Sequence, residues 1–350
     1  IAIMSAAAKR EYWPTTSWQT AKPEAVGMRS EKLGELDTFL RSRARNVRGL
    51  VVVRKGYIVF EWYAPGCGAE DTHNVASVTK SVISALVGIA REAGFIRSVD
   101  QRVLEFFPEY IPGAGDLRKR TLTLRHLLTM TAPVGWKTGA WGYEPLNRLR
   151  RQQNWAQYML DLLGRGGERG RFQYSSVCPH LISAILTRTT DMSAREFANE
   201  RLFRPLGMRE IPDHEMTSFQ VDDVFGKNVT GWIKDPGGIT TGGWGLTITP
   251  RDMARFGFLY LNRGTWDGTP VIPQAWIDES TEQNANGYGY YWWLRGKDAT
   301  FSYSAAGSGG NLICCVPGKD LVVTIASKVA LKTDDPWLPV ERYVMPAIEG

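Results

Sequence analysis

Strand-forming sequence lies at the two ends of this 350-residue chain, and that arrangement constrains its fold more than any other feature. GLVVVRKGYIVFEWYA (49–64) holds two runs of β-branched and aromatic residues split at Lys55-Gly56, a hairpin signal. Late in the chain GYGYYWWL, ATFSYSA, NLICCVP and LVVTIASK return to strand character. The stretch between is mostly helical and loop. One antiparallel sheet drawn from both termini, flanked by the first and last helices and carrying a helical insertion, satisfies this order. The fold class expected is therefore α+β. Residues 1–25 read as an extended lead-in punctuated by Pro14 and Pro23, and 26–350 as one domain. Its sheet part is expected at about 26–70 and 285–350, and its mostly helical part at about 71–284. A groove between the two parts is the natural place for a site.

Caps and periodicity place the helices. Ser30 is a good N-cap for a helix to about Arg43, and Thr123 can cap a short one over LRHLLTM. Residues 153–163, Leu181–Arg188 and Ala194–Leu202 have helical periodicity. Thr249-Pro250-Arg251-Asp252 combines a cap threonine, a proline at the first helical position and an acid three residues on, and opens a helix to about Leu261. A short closing helix is expected from Pro339 to about Met345, stopping ahead of Pro346.

Residues 71–91, DTHNVASVTKSVISALVGIAR, carry the sharpest chemical signal. Val78, Val82, Leu86 and Ile89 recur at helical spacing, so a helix begins near Ser77 and ends near Gly94. Ser77 and Lys80 then share one face, a turn apart, at the positive end of the helix dipole. A hydroxyl beside an amine is how an S-x-x-K hydrolase makes its nucleophile. A buried lysine loses its proton more easily than a free one and can take the serine proton. The alternative is an N-cap serine followed by a lysine in solvent, and four letters do not separate the two.

Composition narrows the classes. With 43% hydrophobic and 22% charged residues the chain is ordinary for a globular protein. The net charge of +6 is spread out; Arg148, Arg150 and Arg151 read as a solvated helix face, and no nucleic-acid partner is expected. The longest uncharged run, Ala299–Gly318, is rich in Gly and Ser and does not read as a membrane span. The N-terminal IAIMSAAAKR has too short an apolar segment for a complete signal peptide, which favours a cytoplasmic protein. If it is the remnant of a removed leader, a periplasmic or secreted protein is the alternative. Cys67, Cys178, Cys314 and Cys315 lack C-x-x-C spacing, and adjacent Cys314 and Cys315 would point to opposite faces of a strand, so no disulfide is expected. His73, His126, His180 and His214 match no H-x-x-x-H pattern, and G-x-S-x-G is absent. Neither a metal site nor another cofactor is expected.

Three further segments bear on Ser77: GRFQYSSVCPHLISAIL, GGWGLTITPRDMARFGFLYLN and SAAGSGGNLICCVP. With HNVASVTKS and TLTLRHLLTMT, in this order, they resemble the serine β-lactamase and penicillin-binding-protein superfamily. The similarity runs from about Val26 to Lys328 and is nearest the class C-like branch, which includes carboxylesterases and 6-aminohexanoate-dimer hydrolases. The resemblance implies a β-lactamase/transpeptidase-like fold and a serine hydrolase acting through an acyl-enzyme. It implies Ser77 as nucleophile, Lys80 as its partner and Tyr174 as a second proton-transfer group, since Tyr174-Ser175-Ser176 matches Y-x-N. Ala305-Ala306-Gly307-Ser308 stands where β-lactamases have K-T-G and a small residue. That makes the backbone N–H groups of Ser77 and Ser308 an oxyanion hole, with Ser176, Gly307 and Gly309 against the substrate. Ser176 replaces the usual Asn, as in amide hydrolases of the aminohexanoate-dimer type. Ala305 replaces a lysine that holds the β-lactam carboxylate, a charge-assisted bond of about 1.5–3 kcal/mol. The resemblance thus points to a small ester as substrate, with an amidase or peptidase of the aminohexanoate-dimer type or a weak β-lactamase as the alternatives, and, from another class, a non-catalytic ligand-binding protein of this fold. Trp136, Trp141, Trp232, Trp244, Trp292 and Trp293 are core or pocket lining, which sequence does not sort.

Overall fold

The computed structural model of the protein describes residues 9–114, 116–137, 145–224, 226, 228–330, 333 and 335–349. Trp141 and most of the N-terminal IAIMSAAAKR lie outside the described residues. The framework consists of α1 (Ser30–Ser42), β1 (Val47–Arg54), β2 (Tyr57–Tyr63), α2 (Val78–Glu92), α3 (Val177–Thr190) and α4 (Pro250–Leu261). It continues with β3 (Trp293–Arg295), β4 (Ser302–Gly307), β5 (Asn311–Val316) and β6 (Leu321–Ser327). The six strands form one antiparallel sheet in the order β2-β1-β6-β5-β4-β3. β1 and β6, from opposite ends of the chain, pair inside the sheet with Val51 opposite Thr324.

Alternation along these strands fills two cores. Leu50, Val52, Cys314 and Val323 face α1 and the closing turns around Val340 and Val344. Val51, Val53, Cys315 and Val322 face the larger core around α2 and α4. Each aliphatic side chain buried in this way contributes about 1.5–3 kcal/mol over leaving it in water. Cys314 and Cys315 thus lie on opposite faces, and all four cysteines are free.

α2 is the axis of the larger core. The apolar spacing predicts a single buried stripe, yet every residue from Val78 to Ala90 is buried. At Gly88 the helix meets Trp276 so closely that a Cβ would lie 2.3 Å from the indole Cγ. Small residues on its other faces let neighbours approach all round. α3 begins a turn earlier than its apolar pattern indicates, because Pro179 falls within the first turn, where its missing N–H costs nothing.

Three further segments depart from the sequence reading. GYGYYWWL is mostly a buried loop, with a strand only from Trp293: Tyr291 has φ 66°, and Gly289 donates to Trp292 O, a tight turn that a ladder cannot pass through. The helix from Ala194 is α-helical to Ala198 and then widens to i→i+5 bonding over Asn199–Phe203. The closing helix, likewise wide over Val340–Val344, ends in a 3₁₀ turn, Met345–Ala347, that includes Pro346 instead of stopping before it.

Residues 9–22 are extended but built into the body. Arg10 makes a two-pronged bond with Asp320, Tyr12 donates to Gly56 O, Arg255 donates to Pro14 O, and Trp18 sits in the larger core. No helix among the described residues is long and apolar enough to cross a membrane.

Candidate active site

Ser77 stands on a strained corner. Ala76, just before it, has φ 49°, a left-handed backbone that costs a non-glycine residue about 1 kcal/mol or more. The corner is over-determined by its neighbours. Asn74 Oδ1 accepts from Ala76 N–H at 2.9 Å, Leu246 O accepts from Val75 N–H at 3.1 Å, and Thr79 Oγ1 donates to Ala76 O at 2.7 Å. α2 therefore starts at a defined place, and Ser77 occupies its N-cap position without its side chain capping the helix. The first-turn N–H groups of Val78, Thr79 and Lys80 bond to the carbonyls of Val75, Ala76 and Ser77 instead.

The half-buried Ser77 hydroxyl faces Lys80. Lys80 Nζ stands 2.8 Å from Ser77 Oγ, 2.8 Å from Gly243 O and 3.2 Å from Ser176 Oγ, on a side chain 1% exposed. The solvated-lysine reading is thereby excluded. Ser176, the N-cap residue of α3, reaches Lys80 although 96 residues separate them. The half-buried Tyr174 lays its ring beside the same amine, with the centroid 4.8 Å from Nζ. Trp293 at 5.7 Å and Tyr288 at 6.4 Å flank that ring.

β4 closes the other side. A Cβ on Gly307 would lie 2.3 Å from Val75 O and 3.0 Å from Ser77 N, so only glycine lets this strand end against the Ser77 corner. Ser308 follows at once. Its turn is pinned by Asn311, which donates to Ser308 O at 2.9 Å, and by Gly310 N–H, which donates to Gly307 O at 3.2 Å. Gly309 (φ 96°) is buried on the far side, where a Cβ would lie 2.1 Å from Lys328 O. Ala305 is buried in the core and brings no charge.

Ser77, Lys80, Tyr174, Ser176 and Gly307 are thus gathered in one place, with Ser308 beside them on the β4 turn. Sequence reasoning missed the Gly243 carbonyl. The double glycine was visible, but a backbone acceptor has no letter of its own. It also missed a buried pair behind that segment: His180 Nε2 lies 2.8 Å from Asp235 Oδ2. Cys178, two residues beyond Ser176, is no rival nucleophile, because burial pushes its thiol up to about 12. Of the tryptophans, Trp136, Trp232, Trp244 and Trp292 are core, and Trp293 is half-buried beside Tyr174.

A sheet from both termini enclosing a serine-headed central helix is the architecture of the serine β-lactamases and transpeptidases. The Beta-lactamase family model matches residues 36–336, and the chain belongs to that family. A 6-aminohexanoate-dimer hydrolase of Paenarthrobacter ureafaciens is 26% identical over 244 residues, covering 65% of this chain and 55% of its own length. The chain thus spans little more than half of that curated relative. Among solved structures, a class C beta-lactamase superposes with a TM-score of 0.69 at 14% identity, over 92% of this chain and 96% of its own. EstCE1, described as a hydrolase with promiscuous acyltransferase activity, gives 0.68 at 16% identity, over 92% and 98%.

Proposed function

We propose that the chain is a serine hydrolase working through a covalent acyl-serine, a carboxylesterase on small esters. Ser77 is the nucleophile, Lys80 its base, Tyr174 the second proton-transfer group, and the N–H groups of Ser77 and Ser308 are the oxyanion hole. One observation carries the reading: the buried Lys80 amine, 2.8 Å from a serine hydroxyl that the helix does not use as a cap. With two N–H directed at Gly243 O and Ser176 Oγ, the remaining position on Nζ faces Ser77, and in the free-base form of the amine that position is the lone pair. It takes the hydroxyl proton as Oγ attacks the carbonyl carbon. The carbonyl oxygen gains charge against the two backbone donors; losing one such donor typically costs about 3–4 kcal/mol. The proton passes by way of Tyr174 to the departing alcohol as its C–O bond breaks. Water then gives up a proton along the same path, attacks the acyl carbon, and Ser77 Oγ leaves reprotonated. Ser176 and Gly307 line the floor, while Gly309 shapes the turn that presents Ser308. No metal or organic cofactor enters these steps.

A second reading, an amidase of the aminohexanoate-dimer type, draws on Ser176 in contact with Lys80 and on the name of the curated relative. A fluorophosphonate tests both against a ligand-binding protein that merely kept the fold. It is expected to label Ser77, and Ser77→Ala to lose labelling and hydrolysis together. Label found by mass spectrometry on Ser176 or Ser308 instead, or none at all, overturns the assignment.

A further inference from the structure

Behind the site lies an acid–imidazole pair that takes no part in the proton transfers. His180, on α3, and Asp235 are both buried, with His180 Nε2 2.8 Å from Asp235 Oδ2. The neighbours settle which nitrogen holds the proton. Gly242 N–H donates to Nδ1 at 3.3 Å, so Nδ1 is the acceptor and Nε2–H donates to Asp235. Asp235 Oδ1 in turn accepts from the N–H groups of Gly237 (2.8 Å) and Ile239 (2.9 Å). Both ring nitrogens are thus occupied, and His180 is not a general base for any nearby serine.

What the pair holds is the segment that carries Lys80's acceptor. Gly242 and Gly243 lie flat on the first turn of α3: a Cβ on Gly242 would be 2.0 Å from Pro179 O, and one on Gly243 2.6 Å from Ser176 Oγ. Two consecutive glycines have the widest backbone freedom of any dipeptide, so their direction has to come from outside. Gly243 O nevertheless accepts from Lys80 Nζ at 2.8 Å. A buried ionisable pair is an expensive way to fill space, since apolar side chains of similar volume often do so at no loss of stability.

We propose that His180, oriented by Asp235, is a positioning residue for Lys80, acting through the Gly242–Gly243 segment. This rests on Lys80 being the base of Ser77. The imidazole acceptor anchors the glycine pair at the Gly242 N–H, contact with the first turn of α3 confines the rest, and Gly243 O at the far end of the pair is held toward Nζ, which commits one N–H of the amine away from Ser77. With the second N–H on Ser176 Oγ, the position left on Nζ is the one that faces Ser77.

Asp235→Asn is the cleanest test because it preserves shape. The new amide keeps an oxygen for Gly237 and Ile239 and turns an NH₂ toward Nε2. The imidazole must then shift its proton to Nδ1, where it opposes Gly242 N–H. The expected result is a kcat for p-nitrophenyl esters, and a rate of fluorophosphonate labelling at Ser77, lower by about tenfold or more, with KM within about twofold. His180→Asn can place an acceptor near the Nδ1 position, whereas His180→Phe keeps only the ring. The asparagine variant is therefore expected to retain clearly more kcat than the phenylalanine one at a similar melting temperature. A folded D235N with wild-type kcat and labelling rate overturns the proposal. So does equal kcat in H180N and H180F, the deciding comparison if D235N does not fold. Wild-type protein that takes no label at Ser77 would instead sink the catalytic reading, so the two failures are distinguishable.

Discussion

At the scale of single residues, proximity to Lys80 separates roles that residue type leaves open. Tyr174 lies with its ring centroid 4.8 Å from the amine, and in the proposed mechanism its phenol carries a proton in both half-reactions. Tyr174→Phe keeps the ring and its contacts with Trp293 and Tyr288, so stability should stay within about 1 kcal/mol while kcat falls about 10²–10⁴-fold. Turnover near wild type in a folded variant would make Tyr174 a packing residue only. Ala305 bears on the proposed substrate class. Being buried and uncharged, it offers no partner for a carboxylate beside the site. Short p-nitrophenyl esters should therefore show a higher kcat/KM than benzylpenicillin, and a β-lactam value equal to or above the ester value would refute the preference.

At the scale of elements, glycines decide how near the pieces of the site can come. Gly307 lets β4 end against the Ser77 corner, and Gly88 lets α2 lie against Trp276. Trp276 is itself fully buried and has nowhere to retreat. Gly88→Ala should accordingly cost about 1–3 kcal/mol by overpacking, despite alanine's better helix propensity. Thermal unfolding of the variant decides: an unchanged or raised Tm would mean that the indole can move after all. Helix placement was largely legible in the sequence. The departures occur where a left-handed residue, as at Tyr291, or a wide helical turn, as at Asn199–Phe203, is imposed by packing that no local pattern announces.

At the scale of the whole molecule, contacts distant in sequence tie the sheet to the helical part. Arg251, at the start of α4, grips Glu61 of β2 through two bonds of 2.7 and 2.9 Å across 190 residues, and Tyr63 donates to the same carboxylate. Burial pushes the Glu61 carboxyl up, but the bonds from Arg251 and Tyr63 outweigh it and leave its pKa below the ordinary value. A carboxyl lowered in the folded state stabilises above its unfolded pKa of about 4.3, and that contribution fades as pH falls through the folded value. Glu61→Gln should thus lower stability by about 1–3 kcal/mol at neutral pH and close the gap in acid. Denaturant titrations at neutral and acidic pH measure this; a gap of the same size at both would show that the charge is not what matters. The docked segment at residues 9–22 belongs to this scale too, since Arg10 reaches Asp320 across 310 residues.

The sequence by itself determined whatever depends on neighbours a few residues apart. A 3.6-residue period puts Ser77 and Lys80 on one face, the Lys55-Gly56 turn joins β1 to β2, and Thr249-Pro250 opens α4. It also carried enough ordered motifs to reveal the family. Only the tertiary structure decided that the Lys80 amine is buried, that its third neighbour is a carbonyl 163 residues away, and that His180 and Asp235 stand behind that carbonyl. It also decided that the segment at residues 9–22 is part of the body. The physical reason is the same in each case. These contacts are made by backbone atoms, which every residue possesses, or by side chains whose meeting depends on the path of the intervening chain, and neither leaves a periodic trace in the letters.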